Sequence, residues 1–118
     1  MAQALVGLYY LQGRGGVQQK NQEGFQWALK AAENGDGDGQ YLAGYCYENG
    51  LGINQSYREA AYWYEKSAEA NNANGLYVLG YCYEAGLGVK KDVKKAKQLY
   101  RKSGKLEAIQ RLKKLGEE

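Results

Sequence analysis

The chain has 118 residues, with 44% hydrophobic and 25% charged residues and a net charge of +3, values ordinary for one globular domain. It contains no histidine, which excludes histidine bases, the catalytic triads built on them and histidine-ligated zinc sites. No apolar run approaches the roughly 20 residues of a membrane-spanning helix, so we expect a water-soluble protein without membrane insertion. The unusual features are 17 Gly, 12 Tyr and no Pro, which a repeated unit would explain together.

A ten-residue segment occurs twice with an offset of 36. GYCYENGLGI, residues 44–53, returns almost unchanged as GYCYEAGLGV, residues 80–89. A looser copy, one residue longer, begins the chain as GLYYLQGRGGV, residues 7–17. The sequence therefore predicts one domain, 1–118, with repeats at 1–37, 38–73 and 74–106 and a C-terminal capping helix at 107–118.

Each repeat has the pattern of two helices joined by a glycine-rich turn. The first helix of repeat two carries one packing face at helical spacing, formed by Gln40, Ala43, Gly44 and Tyr47. Gly50 and Gly86 are placed to end the first helices in the left-handed conformation. Ser56 and Asp92 are N-cap residues for the second helices. The pattern predicts helical hairpins, and the second helix packs through Ala60, Trp63, Tyr64 and Ala68.

Neither helix of a hairpin is long enough to be stable alone, so each hairpin must bury its apolar face against the next. We therefore predict an all-α fold, an α-solenoid of three stacked helix-turn-helix repeats and a capping helix. Gly7, Gly44 and Gly80 recur at one position, where a glycine lets another backbone come close. Lys113 takes that position in the capping helix and favours water, so we expect the array to end there.

The pattern LG-x-x-Y-x-x-G-x-G-V, a capping Asp and K-A-x-x-W-Y-x-K-A-A-E resembles the Sel-1-like repeat family, relatives of the tetratricopeptide repeats. The matching residues are Leu79, Gly80, Tyr83, Gly86, Gly88, Val89, Asp92, Lys95 and Ala96, with Trp63, Tyr64, Lys66, Ala68 and Glu69 of the preceding unit. The resemblance covers almost the whole chain, although Lys20 and Ser56 replace the usual Asp and Gly24 replaces the Ala. It implies that first helices line a concave surface and that the protein is an adaptor that assembles other proteins.

Positions beside the packing face of the first helices are candidates for contacting a protein or peptide partner. They are Tyr41, Tyr45, Glu48, Asn49, Tyr77, Tyr81 and Glu84. Tyrosine buries a large area at little entropic cost and keeps a hydroxyl for a partner. The alternative is that these tyrosines only pack between hairpins, as we expect of Tyr47 and Tyr83.

Charge is unevenly distributed along the chain. Residues 1–89 have five Lys or Arg against nine Asp or Glu, net −4, whereas residues 90–114 have eleven against two, net +9. The candidate basic patch is Lys90, Lys91, Lys94, Lys95, Lys97, Arg101 and Lys102. It could attract an acidic protein or nucleic acid. A solvated terminal repeat needs such a face as well, so we expect nucleic-acid binding less than a purely solvating role.

Two further patterns have structural explanations. Cys46 and Cys82 are equivalent, but neighbouring helices lie about 8 to 10 Å apart, too far for a disulfide. We expect them to be small packing residues. Asn34, Asp36, Asp38 and Gly39 resemble the start of a calcium loop, but its closing Glu is replaced by Tyr45, so we expect no metal.

No nucleophile has a credible base beside it and no glycine run follows a strand, so we expect neither an enzyme nor a cofactor. The leading prediction is a non-catalytic binding module. A structural spacer or an engineered repeat scaffold is the third possibility. Two unpaired thiols and a start without a leader favour the cytoplasm, although relatives of this repeat also occur in the bacterial envelope and secretory lumen. The sequence specifies neither the partner nor the oligomeric state.

Overall fold

The computed structural model describes residues 18–116, which form six α-helices and no strand. The helices are α1 Gln18–Glu33, α2 Gly37–Asn49, α3 Tyr57–Glu69, α4 Ala73–Ala85, α5 Val93–Ser103 and α6 Leu106–Lys114. The loose first copy at residues 7–17, with Gly7 and its longer loop, lies outside the described residues.

Each helix packs on the next one in the chain, and α2 also contacts α4, the first helix of the following repeat. The molecule is elongated, with principal extents of 43 × 24 × 24 Å. Contacts that follow chain order in an elongated shape are those of a stacked array rather than of a bundle closed around one centre. The predicted all-α solenoid is confirmed. None of the helices within residues 18–116 is both long and apolar enough to span a bilayer.

Local signals begin and end the helices as the sequence predicts. The Ser56 side chain accepts a hydrogen bond from the Glu59 amide at 3.2 Å, and Asp92 accepts one from the Lys95 amide at 3.1 Å. These bonds satisfy amides that have no partner inside the helix. Gly50 and Gly86 end α2 and α4 with φ of 66° and 75°, in the left-handed region.

A second pair of glycines joins one repeat to the one before it. Gly88 has a φ of 73°, and a Cβ placed on it would lie 2.1 Å from the carbonyl oxygen of Tyr57, the first residue of α3. Gly52 has a φ of 74°, and a Cβ there would lie 2.3 Å from the carbonyl oxygen of Asn21 in α1. The loop after each first helix therefore packs backbone to backbone on the preceding repeat.

The environment of Gly44 and Gly80 differs from the expectation of a neighbouring backbone. A Cβ on Gly44 would lie 2.5 Å from Cε1 of Tyr64, and one on Gly80 would lie 2.7 Å from Cε1 of Tyr100. The Ala60 carbonyl oxygen is farther, at 3.1 Å. The expectation was wrong about the nearest group: these glycines chiefly make room for a tyrosine ring from the second helix of the same repeat.

The core consists of buried clusters along the array, and the half-buried Tyr41 and Tyr83 each pack against two of them. One buried cluster consists of Ala60, Tyr64, Ala68, Leu76, Leu79 and Cys82 and joins α3 to α4. A second, of Ala96, Tyr100, Ala108 and Leu112, holds α6 on α5. Cys46 and Cys82 are buried and unpaired with each other, as expected of packing residues. Lys113, on the last helix, is exposed.

Candidate functional site

The candidate partner-binding residues lie on α2 and α4, the first helices of two successive repeats. We call them the tyrosine face: Tyr41, Tyr45, Glu48, Asn49, Tyr77, Tyr81 and Glu84. Tyr45 and Tyr81 are 42% and 41% exposed, which is high for rings of this size. Equivalent positions on stacked helices expose equivalent side chains, so the two rings form a repeated apolar surface.

Tyr41 and Tyr77 are only half-buried and contribute to both packing and surface. The Tyr41 ring lies 6.1 Å from the ring of Tyr64, and the Tyr77 ring lies 6.0 Å from that of Tyr100. Both ring pairs are tilted, with centroid separations in the favourable range for aromatic contacts. Each of these two tyrosines therefore packs in part on a ring of its own repeat.

The two glutamates of the tyrosine face each accept a hydrogen bond from a buried tyrosine. Tyr64 Oη donates to Glu48 Oε1 at 2.5 Å, and Tyr100 Oη donates to Glu84 Oε1 at 2.6 Å. Burial raises the pKa of Tyr64 well above its ordinary value, and the Glu48 carboxylate adds to the rise. Each bond ties the end of a first helix to the middle of its second helix.

The sequence periodicity predicts that Tyr64 is a packing residue and does not place Tyr64 or Tyr100 at the site. A signal was present, because a Glu is followed by a Tyr sixteen residues later in both repeats. A repeated pairing of an acceptor with a donor in an otherwise apolar setting indicates a hydrogen bond across the hairpin.

A cavity of about 140 Å³ opens between α2, α3 and α4. It is lined by Glu48, Tyr57, Ala60, Tyr64, Tyr77, Val78, Tyr81, Cys82 and Leu87. The lining is apolar except for one carboxylate and several phenol hydroxyls. Such a cavity can take a side chain with an apolar stem and a polar end, but it lacks the several anionic ligands that a metal ion needs.

One repeat later, Glu84 corresponds to Glu48, and a side chain of the protein itself binds it. Arg111 of α6 donates from Nε to Glu84 Oε1 at 3.2 Å and from Nη2 to Glu84 Oε2. Its guanidinium also lies 5.6 Å from the centroid of the Tyr81 ring. Burial opposes ionisation of Glu84, but the hydrogen bonds from Arg111 and Tyr100 outweigh it and hold the pKa of Glu84 below its ordinary value.

The other residues on or near the tyrosine face make contacts within the chain. Asn49 is exposed, and its Nδ2 donates to the Tyr45 carbonyl at 3.0 Å. Tyr47 is half-buried and packs edge to face on Phe25 at 5.4 Å. Tyr83 is half-buried and packs against the buried cluster that joins α3 to α4. Tyr47 and Tyr83 are thus the packing residues that the sequence predicts.

The basic residues lie on a different element from the tyrosine face. Lys90 and Lys91 precede α5, whereas Lys94, Lys95, Lys97, Arg101 and Lys102 lie on α5, the second helix of repeat three. The Lys95 ammonium is placed over the Tyr83 ring, 4.6 Å from its centroid, so part of this charge is used within the repeat. None of these basic residues is among the residues that line the cavity.

The carboxylates of the calcium-like stretch hold the helix starts. Asp36 caps α2 by accepting from the Asp38 amide at 3.1 Å. Asp38 Oδ1 accepts from Asn72 Nδ2 at 2.7 Å, which links the start of α2 to the start of α4. Over residues 18–116, no group of three or more His, Cys, Asp or Glu side chains is arranged to hold a metal ion.

Comparison with known proteins gives three results that agree. The family model for the Sel1 repeat matches residues 1–36, 37–72 and 73–107. A Sel1 repeat protein from Oxalobacter formigenes is similar in structure, with TM-score 0.78 and 34% identity over 86% of this chain and 77% of its own. Helicobacter pylori cysteine rich protein B gives TM-score 0.73 and 36% identity over 77% of this chain and 71% of its own.

A longer protein is also similar. It is c5321, a protective antigen of uropathogenic Escherichia coli strains that displays an SLR fold, with TM-score 0.85 and 30% identity over 94% of this chain. This chain spans 24% of that protein. No curated protein sequence matches the chain. Three successive matches to one repeat model, together with these structural similarities, show that the chain belongs to the Sel1 repeat family.

Proposed function

We propose that this chain is a non-catalytic protein–protein interaction module that binds a protein or peptide segment along its tyrosine face. The observation that carries the proposal is the pair of exposed rings, Tyr45 and Tyr81, on successive first helices, with Tyr81 lining a cavity of about 140 Å³. Exposed aromatic rings beside a concave feature are typical of interaction surfaces, because they supply contact area without much loss of side-chain entropy. The first helices form the concave side of the array in this proposal.

The composition of the chain and the state of its thiols argue against a catalytic role. The sequence has no histidine, and burial raises the pKa of both thiols, Cys46 and Cys82, to about 12. A thiol that stays protonated at neutral pH is a poor nucleophile. Membership of a repeat family whose units stack into extended surfaces supports a binding role over a catalytic one.

A peptide-display selection on the immobilised chain tests the proposal. We expect the selected peptides to lose affinity by at least about tenfold for the double variant Tyr45→Ala/Tyr81→Ala, because interface tyrosines contribute strongly to binding. The matched control is Tyr62→Ala, which removes a tyrosine 51% exposed on α3, outside the cavity lining. Circular dichroism would establish that all variants keep their helices.

The proposal is wrong if no peptide is selected, or if the selected peptides bind the double variant as tightly as the unchanged chain. Loss of binding in Tyr62→Ala alone would move the interaction to the second helices.

A further inference from the structure

Two contacts between successive helical units share three groups on the earlier unit, a glutamate, an exposed tyrosine and a buried tyrosine, and differ in the residues that the later helix brings to them. We call the contact of α2 and α3 with α4 the first interface, and that of α4 and α5 with α6 the second interface. Aligning α6 on α4 pairs Ala108 with Gly75 and Leu112 with Leu79, which are buried in both helices. This alignment places Arg111 where Val78 stands in the preceding interface.

In the second interface the guanidinium of Arg111 occupies a complete recognition site. It donates two hydrogen bonds to Glu84, one to each carboxylate oxygen, and its central carbon lies 5.6 Å from the centroid of the Tyr81 ring. The fork of an arginine matches a carboxylate in this two-bond geometry, and an aromatic face adds a cation–π contact. Tyr100 fixes the position of Glu84 by donating to Oε1.

The first interface has the same receptor groups and a different neighbour. Glu48 corresponds to Glu84, Tyr45 to Tyr81 and Tyr64 to Tyr100, and Tyr64 orients Glu48 by the same hydrogen bond. Val78 cannot donate to a carboxylate, and within residues 18–116 the hydrogen bond that Glu48 accepts comes from Tyr64, to Oε1. The cavity of about 140 Å³ opens beside these groups, with Glu48, Tyr64 and Val78 in its lining.

We propose that the first interface binds the guanidinium of an arginine side chain in the partner, with Arg111 as the chain's own counterpart one repeat later. This inference deepens the proposed function and rests on it, because the arginine belongs to the peptide segment on the tyrosine face. A guanidinium has fewer heavy atoms than benzene, which a cavity of about 150 Å³ accommodates. The negative carboxylate of Glu48 in the cavity lining, with the electron-rich Tyr45 ring one turn earlier on α2, gives charge complementarity to a cation.

The chemistry favours arginine over lysine. A guanidinium can bond both oxygens of Glu48 at once in a fixed plane, whereas an ammonium bonds as a point charge and is more strongly hydrated. The expected order of affinity is arginine, then lysine, then citrulline, which keeps the shape of arginine without its charge.

The test is a titration of the isotope-labelled full chain, followed by amide chemical shifts. The probes are three acetylated and amidated pentapeptides that differ only at the central residue: Gly-Gly-Arg-Gly-Gly, its lysine twin and its citrulline twin. We expect the arginine peptide to shift the amides of Tyr45, Glu48 and Val78 and to bind about tenfold more tightly than the citrulline peptide, as expected of hydrogen bonds to a charged group.

Two glutamate variants form a matched pair. Glu48→Gln keeps the acceptor for Tyr64 and removes the charge, and we expect it to lose the preference for arginine. Glu84→Gln makes the same change where Arg111 already occupies the site, and we expect it to keep that preference. Equal affinity for the arginine and citrulline peptides, or unchanged arginine binding by Glu48→Gln, would overturn the inference.

Two further variants exchange Val78 and Arg111, which stand at equivalent positions in the two interfaces. Val78→Arg supplies the guanidinium within the chain, and we expect it to abolish binding of the arginine peptide while circular dichroism stays helical. Arg111→Val vacates the second interface, and we expect the number of arginine peptides bound per chain to rise from one to two. An unchanged number bound in both variants would contradict the correspondence.

The outcomes separate this inference from the proposed function. Displayed peptides that need Tyr45 and Tyr81 but tolerate citrulline in place of arginine would leave the tyrosine face as the binding surface and overturn the arginine site. Failure of the display selection together with a clear arginine preference in the titration would remove the proposed function and leave only a guanidinium site. Neither result can be mistaken for the other.

Discussion

Replacing one glycine of the loop after α4 by alanine tests how the repeats are held together. In Gly88→Ala the new Cβ would lie 2.1 Å from the Tyr57 carbonyl oxygen, a contact that neither backbone can accept without moving. The residue also keeps a φ of 73°, which costs an alanine about 1 to 2 kcal/mol. Overpacking adds about 1 to 3 kcal/mol, so the expected loss of unfolding free energy is about 2 to 5 kcal/mol.

Gly86→Ala is the matched control in the same loop. Its φ of 75° carries the same conformational cost, but a Cβ there would lie 3.4 Å from the Lys91 Cβ, an ordinary contact. The expected loss is therefore only about 1 to 2 kcal/mol. The difference between the variants isolates the contact with the preceding repeat, since both remove a glycine with positive φ.

Urea and thermal denaturation followed by circular dichroism at full chain length give the measurement. For a chain of this length, 1 kcal/mol corresponds to about 4 °C in the midpoint, so we expect decreases of about 8 to 20 °C for Gly88→Ala and about 4 to 8 °C for Gly86→Ala. Gly52→Ala and Gly50→Ala repeat the comparison one unit earlier. Equal losses within each pair would refute the backbone contact between repeats.

Three other predictions concern the caps, the last helix and the thiols. Ser56→Ala or Asp92→Ala should each lower the unfolding free energy by about 1 kcal/mol in urea denaturation, because each removes an N-cap hydrogen bond; an unchanged value would contradict that role. Arg111→Ala should loosen α6 by about 1 kcal/mol, since the ion pair with Glu84 is partly exposed, and should lower amide-exchange protection confined to α6. Burial raises the pKa of Cys46 and Cys82 from 9.0 to about 12, so the stability that these thiols contribute is full below pH 9 and is lost as pH rises from 9 toward 12, because the unfolded thiols ionise first. Alanine at both cysteines should flatten urea midpoints between pH 9 and 10, and a slope equal to that of the unchanged chain would refute the assignment to the thiols.

The hairpins and their stacking could be predicted from the sequence because their signals are local. A period of 36 residues, glycines that end helices and side chains that cap them depend on neighbours a few residues away. Ser56 and Gly86 therefore have the predicted roles. The exposed positions of Tyr45 and Tyr81 follow from the same periodicity, since they lie beside the packing face.

The groups that complete the candidate site depend on how helices sit against each other. The bond from Tyr64 to Glu48 crosses a hairpin, and its length depends on the rotation of α3 against α2, which periodicity does not specify. For the same reason, the sequence predicts a neighbouring backbone beside Gly44, where the structure has the Tyr64 ring. The sequence identifies Arg111 only as part of a basic segment, because its position beside Glu84 arises from the docking of α6.

Location of a bound ligand tests the central claim most directly. The labelled full chain, titrated with a peptide from the display selection, reports the contacted residues through its amide shifts. Binding along the tyrosine face and its cavity predicts the largest changes at Tyr45, Val78 and Tyr81. Changes confined to α5, around Lys94 and Arg101, would place binding on the basic second helix and contradict the account.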